Sequence, residues 1–191
     1  MSRPVGVRKT QILEVASDLF HRSGFHQVGM DDIGEAVGVT GPAIYSHFRS
    51  KESLLVAIME RTADELIDFD RVVSEAVGPA DALRRLVAHH VDFALNRREL
   101  ISIWIRETRS LPPADQESIR ARQRYYMSRW VEKLLELNPD MERAEAQSLV
   151  HGVFNFIASV AFYEPRLSRA RLGALLESRA TALLLLDGAR T

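Results

Sequence analysis

Apolar residues recur at spacings of three and four along most of the chain, and few stretches alternate with the period of two that marks a strand. The first such run sets Ile12, Leu13, Ala16, Leu19 and Phe20 on one stripe and stops at Ser23-Gly24, after which Phe25 returns to the core. A short helix is predicted over Asp31–Val37, with Ile33, Ala36 and Val37 inward and Asp31 and Asp32 at its positive end. Gly38 ends it. Thr40 can cap a second short helix, with Pro42 in the first turn, where a missing N–H costs nothing. Ser50 then opens a long helix from Lys51 to about Glu75.

Beyond Pro79 the periodic runs lengthen. Asp81 opens a helix bearing Leu83, Leu86, Val87, His90, Val91 and Ala94, and Leu100–Arg106 is apolar on nearly every side. Pro112-Pro113, Asn138-Pro139 and Glu164-Pro165 separate helices predicted over about Ala114–Leu137, Glu142–Tyr163 and Ser168–Leu186. The pattern predicts an all-α chain of nine helices, short and bundled first, mostly long afterwards.

Composition narrows the class. The 191 residues are 46% hydrophobic and 27% charged with a net charge of −1, which fits an ordinary globular protein and argues against disorder. With no cysteine, disulfides, thiol catalysis and cysteine-ligated zinc are excluded. No run approaches a membrane span, and no apolar segment follows the basic N-terminus, so the expected location is cytoplasmic.

The informative segment is Ile33 to Phe48. Two short helices joined by a tight glycine turn read as a helix-turn-helix, with Ala36, Val39 and Ile44 spaced to pack them together. Gly41, Pro42 and Ala43 are small, so the second helix can press against base edges in the major groove. Thr40, Tyr45, His47 and Lys51 are donors suited to phosphates on either side.

These residues carry a resemblance. From Arg8 to about Leu66 the chain resembles the DNA-binding domain of the TetR family of transcriptional regulators. The matching pieces include Gly24-Phe25, Asp32-Ile33, Gly38-Val39-Thr40, Ile44-Tyr45, His47-Phe48, Ser50-Lys51-Glu52 and Leu54-Leu55. The resemblance implies a helix-turn-helix domain over 6–66, a helical ligand-sensing and dimerisation domain over 67–191, and a homodimer on palindromic double-stranded DNA released by a small molecule. It places Thr40, Gly41, Pro42, Ala43, Tyr45, Ser46, His47 and Lys51 on DNA-contacting positions, and Arg8 and Lys9 lie on a basic N-terminal arm. Gly29 departs from the pattern, standing where the family commonly has a threonine that caps the second helix and touches phosphate.

Bulk charge does not announce a nucleic-acid binder. Residues 1–51 hold six Lys and Arg against five Asp and Glu, and the remaining 140 hold 19 against 21. The cations are nonetheless placed: Arg49 and Lys51 flank the predicted recognition helix, and residues 40–51 contain no acid.

The C-terminal two-thirds carry no motif. Phe93, Trp104, Tyr126, Trp130, Phe154 and Asn155 are the types that line a mostly apolar cavity, and they predict a bulky, largely apolar effector, lipid-like or acyl-thioester. For the dimer interface the pattern nominates the last two helices, with Leu172, Leu176 and Leu183 on a leucine face and Gly152 and Ser159 permitting close approach. His89-His90 is no metal pair, because adjacent residues do not share a helix face; no cofactor or metal is expected. Motifs for nucleophilic hydrolysis, zinc hydrolysis or nucleotide binding are missing, so an enzyme is not expected. The competing readings are a transcriptional activator and a helical interaction module without DNA binding.

Overall fold

A computed structural model describes residues 5–67 and 69–185, except for the side chains of residues 5–8, 69 and 70. Every regular element among the described residues is helical. The α-helices are α1 (Val5–Ser23), α2 (Met30–Val37), α3 (Gly41–Tyr45), α4 (Lys51–Ile67), α5 (Phe69–Val73), α6 (Pro79–Asn96), α7 (Arg98–Glu107), α8 (Pro113–Leu137), α9 (Arg143–Ala158) and α10 (Arg169–Leu185). Asp68, between α4 and α5, lies outside the described residues; with these two counted as one element the described helices number nine. None of them is long and apolar enough to cross a membrane.

The chain forms two compact units. The first runs to Ala63 and takes in Glu99–Ile119, so it holds α1 to α3, most of α4, nearly all of α7 and the first turns of α8. Its core is built from Ile12, Ala16, Phe20, Phe25, Ile33, Ile44, Phe48, Leu54 and Leu55, all buried. Phe20 and Phe25 meet edge to face, with ring centroids 5.2 Å apart.

The second unit holds Asp64–Arg98 and the chain from Arg120 onward. In it α10 packs on α6 and α9, and Leu83, Leu86, Val87, Trp130, Leu134, Val150, Val153, Ile157, Leu176 and Leu184 are buried. Its ion pairs include Asp64 with Arg122 at 2.5 Å and Arg169 with Asp92 at 3.2 Å.

Several elements differ from the sequence pattern. The helix predicted to reach Glu75 ends at Val73, where the Ser74 hydroxyl donates to the Arg71 carbonyl at 2.9 Å and closes a turn. The helix predicted to reach Tyr163 gives way after Ala158 to a 3-10 turn over Ser159–Ala161. Pro165 explains this, since its ring would clash with the carbonyl four residues back in a continuing helix. Arg98 takes up freed acceptors there, donating from Nε to the Val160 carbonyl at 2.8 Å and from Nη2 to the Tyr163 carbonyl. Ala36, predicted inward, is exposed; Gly34 is buried instead and sits against the backbone of Val39 to Gly41. Ile105 is also exposed, so α7 buries fewer faces than its composition predicts. Leu186, predicted in the last helix, lies outside the described residues.

Candidate nucleic-acid interface

The turn between α2 and α3 is set by its backbone. Gly38 adopts φ 78° and ψ 34°, a left-handed conformation that side-chain-bearing residues resist, and its N–H donates to the Glu35 carbonyl at 3.0 Å. The Val39 N–H donates to the Gly34 carbonyl at 2.9 Å, so the carbonyls at the end of α2 are satisfied as the chain reverses. Thr40 enters α3 in extended conformation, and its carbonyl accepts from the Ala43 N–H at 2.9 Å. Its hydroxyl does not cap α3, contrary to the sequence reading, and is therefore left outside the helix.

Ile44 and Phe48 are buried and fix α3 from behind. Thr40, Pro42, Tyr45 and Ser46 are exposed, Tyr45 at 53%, while Ala43 and His47 are half-buried. The Ser46 hydroxyl donates to the Ala43 carbonyl at 2.7 Å. Lys9 is exposed on α1, with Nζ 5.5 Å from the Phe48 ring centroid; Arg8 belongs to α1, but its side chain lies outside the description. The structure thus gathers most of the nominated residues on the outer side of one short helix.

Two of them sit otherwise. Gly41 is buried, because the Asp31 carboxylate occupies the space a side chain would need. Lys51 turns inward: Nζ donates to the carbonyls of Phe25 at 2.8 Å and Val28 at 2.9 Å, and it lies 4.4 Å from the Phe25 ring centroid. This ammonium ties the start of α4 to the loop before α2. At Gly29, where a capping threonine was the comparison, the backbone N–H donates to Asp32 Oδ2 at 2.7 Å. The Asp31 and Lys51 arrangements were not legible, because each depends on residues brought together by the fold.

In the second unit, Tyr126 and Trp130 of α8 meet His90 of α6 and Phe154 of α9. The His90 ring is 4.6 Å from Phe154 and 5.9 Å from both Tyr126 and Trp130, centroid to centroid. Tyr126 Oη and His90 Nδ1 are 3.4 Å apart. Burial lowers the His90 pKa to about 3, with a smaller contribution from His89, so the imidazole is neutral; burial pushes the Tyr126 hydroxyl well above its ordinary value.

The other nominated pocket residues do not join this cluster. Phe93 is buried and lines a separate open cleft with Asp64, Glu65, Asp92 and Asn96. Trp104 belongs to the first unit. Asn155 is exposed on α9 and donates to the His151 carbonyl at 2.9 Å. Of the nominated interface residues, Gly152 is exposed on α9, Ser159 is exposed in the 3-10 turn that follows it, and Leu183 is 48% exposed on α10. Leu172 and Leu176 are buried within their own chain, where the α10 stripe packs inward.

Comparison with known families agrees with this architecture. Residues 12–58 match the family described as bacterial regulatory proteins of the tetR family, and residues 76–153 match a tetracyclin repressor-like C-terminal domain. The chain belongs to the TetR family.

Two curated HTH-type relatives come from Mycolicibacterium smegmatis. The transcriptional activator FasR is 41% identical over 64 residues, which is 34% of this chain and 29% of FasR. The transcriptional repressor KstR2 is 23% identical over 171 residues, 83% of this chain and 80% of KstR2. The match thus spans less than a third of FasR's length and most of KstR2's. A TetR-family transcriptional regulator from Bordetella parapertussis shares the fold, with a TM-score of 0.84 over 98% of this chain and 100% of the other at 23% identity. The chain thus carries the N-terminal and C-terminal domains of the TetR family.

Proposed function

We propose that this TetR-family chain is a repressor that binds a palindromic operator as a homodimer and releases it when a small, largely apolar effector occupies the second unit. The observation that carries the reading is the α3 surface. Thr40, Pro42, Tyr45 and Ser46 face outward while Ile44 and Phe48 hold the helix in place, which suits reading of base edges flanked by phosphate contacts. One such helix per chain favours a two-fold assembly, with half-sites about one helical turn, roughly 34–36 Å, apart or somewhat more. Repression is favoured over activation because the KstR2 match extends over 171 residues and the FasR match over 64.

For the dimer, the exposed face of α9 at Gly152 and Asn155, Ser159 in the turn that follows, and the exposed α10 residues Leu175 and Leu183 fit a four-helix interface. No side chain crowds Gly152 within 4 Å, which leaves room for a partner helix. An effector relieves repression only through its different affinity for the two states, so effector and DNA weaken each other equally. The experiment is selection from a random duplex library followed by a gel shift on the enriched sequence. Enrichment of a palindrome bound by two chains supports the reading; no enriched sequence refutes it. Release of that complex by one of a panel of fatty acids, sterols and acyl thioesters tests the effector class.

A further inference from the structure

We propose that Asp31 reads a base of the operator, its carboxylate accepting a hydrogen bond from the exocyclic amino group of a cytosine in the major groove. This deepens the operator-binding reading and rests on it. The starting observation is what the first turn of α3 lacks. The N-terminal residues of a recognition helix are the ones that meet base edges, yet Gly41, Pro42 and Ala43 bear no hydrogen-bonding side chain. Gly41 has no side chain at all, and the space one would fill holds the Asp31 carboxylate. The polar group at the opening of α3 is therefore supplied by α2.

That carboxylate has no structural task of its own. Capping of α2 falls to the next acid, Asp32, whose Oδ2 accepts from the Gly29 N–H at 2.7 Å. Asp31 is exposed and makes no hydrogen bond or ion pair among the described residues. Its place is nonetheless fixed. Met30 and Ile33 anchor this end of α2 in the core. Gly34 brings α2 so close to the chain entering α3 that an added Cβ would lie 3.0 Å from the Gly41 nitrogen.

Charge then sets the partner. A carboxylate repels phosphates and is an acceptor only, so its contact on DNA must be a donor. The major groove offers two, the amino groups of cytosine N4 and adenine N6. Adenine sets its N7 acceptor beside N6, which turns a lone pair toward the second carboxylate oxygen. Cytosine has no acceptor beside N4 on its own edge, so the anion favours cytosine.

The test takes the full chain as wild type, Asp31→Asn and Asp31→Ala through selection from a random duplex library. Each protein is then titrated by fluorescence anisotropy on the enriched duplex and its single-base variants. Thermal melting checks the fold, and Asp31→Asn keeps the shape of the side chain. The wild type should enrich a cytosine at one symmetric position of each half-site, and thymine there should weaken binding about fivefold to tenfold. Asp31→Ala should lose that preference and keep the rest of the motif. Asp31→Asn should move it to adenine, whose N6 and N7 match the acceptor and donor of an amide. Identical motifs for the three proteins overturn the proposal. So does an Asp31→Ala chain that binds every sequence more tightly with an unchanged motif, the mark of a carboxylate that only repels phosphate. A wild type that enriches no sequence refutes the operator reading and this inference with it; an enriched palindrome indifferent to residue 31 refutes this inference alone.

Discussion

The Asp31 carboxylate occupies the place of a Gly41 side chain: a Cβ at Gly41 would lie 1.8 Å from Asp31 Oδ1 and 3.0 Å from its carboxyl carbon. The first residue of α3 is therefore defined by an acid at the start of α2. Gly41→Ala should push the carboxylate aside and lower stability by up to about 1 kcal/mol, because Asp31 is exposed and its side chain can turn away. With Asp31→Ala in place the nearest remaining atom is the Asp31 backbone at 3.5 Å, an ordinary contact. Chemical denaturation of the two single variants and the double variant should show that the loss at Gly41→Ala disappears when residue 31 is alanine. Additive losses would remove Asp31 as the cause.

Lys51 makes a second prediction about the same unit. Two of its three N–H donors go to the carbonyls of Phe25 and Val28. Lys51→Met keeps the aliphatic stem and removes both charge-assisted bonds, so stability should fall by about 1.5–3 kcal/mol per bond at most, and the midpoint of thermal unfolding with it. The operator affinity should fall with it, while the salt dependence of binding changes little. A residue acting only on phosphate would instead leave the melting curve alone and reduce the salt slope by about one.

The fold was legible wherever a local rule decided it. Gly38 marked the left-handed turn, Pro42 the first turn of α3, and the three- and four-residue spacing the helices themselves. The outward face of α3 was legible as a surface, because its residues are the ones left over once Ile44 and Phe48 are assigned to the core. What sequence could not give was the partner of each polar group. Lys51 has the chemistry for phosphate or for carbonyls, and only the fold brings Phe25 and Val28 within reach. The leucines of α10 show the same limit. Leu172 and Leu176 belong to their own chain's core and Leu183 does not, although all three read alike.

That distinction yields a prediction. Leu183→Arg places a charge on an exposed position and should give a folded monomer in sedimentation, since the proposed interface cannot bury it. Leu176→Arg places the charge in the core and should abolish soluble folded protein. Should Leu183→Arg remain dimeric, the interface does not run through this part of α10.

His90 predicts a pH dependence. Its pKa is about 3 in the folded chain against 6.5 ordinarily, so between these values the unfolded chain binds a proton that the folded chain refuses. The stabilising contribution is complete above about pH 6.5 and is lost as the pH falls toward 3, with a slope approaching roughly 1.4 kcal/mol per unit. Comparing denaturation of the wild type and His90→Phe from neutral to acid isolates this group. The difference between them should grow as pH drops; parallel curves would mean that His90 accepts its proton in the folded state.

The central claim is that α3 reads DNA as one half of a symmetric pair. It is tested most directly by measuring the stoichiometry and sequence preference of the full chain on its selected operator, beside Tyr45→Ala and Thr40→Ala. The account predicts two chains per palindrome, and a loss for each variant of about tenfold or more. Binding without sequence preference, or unchanged in both variants, would contradict it.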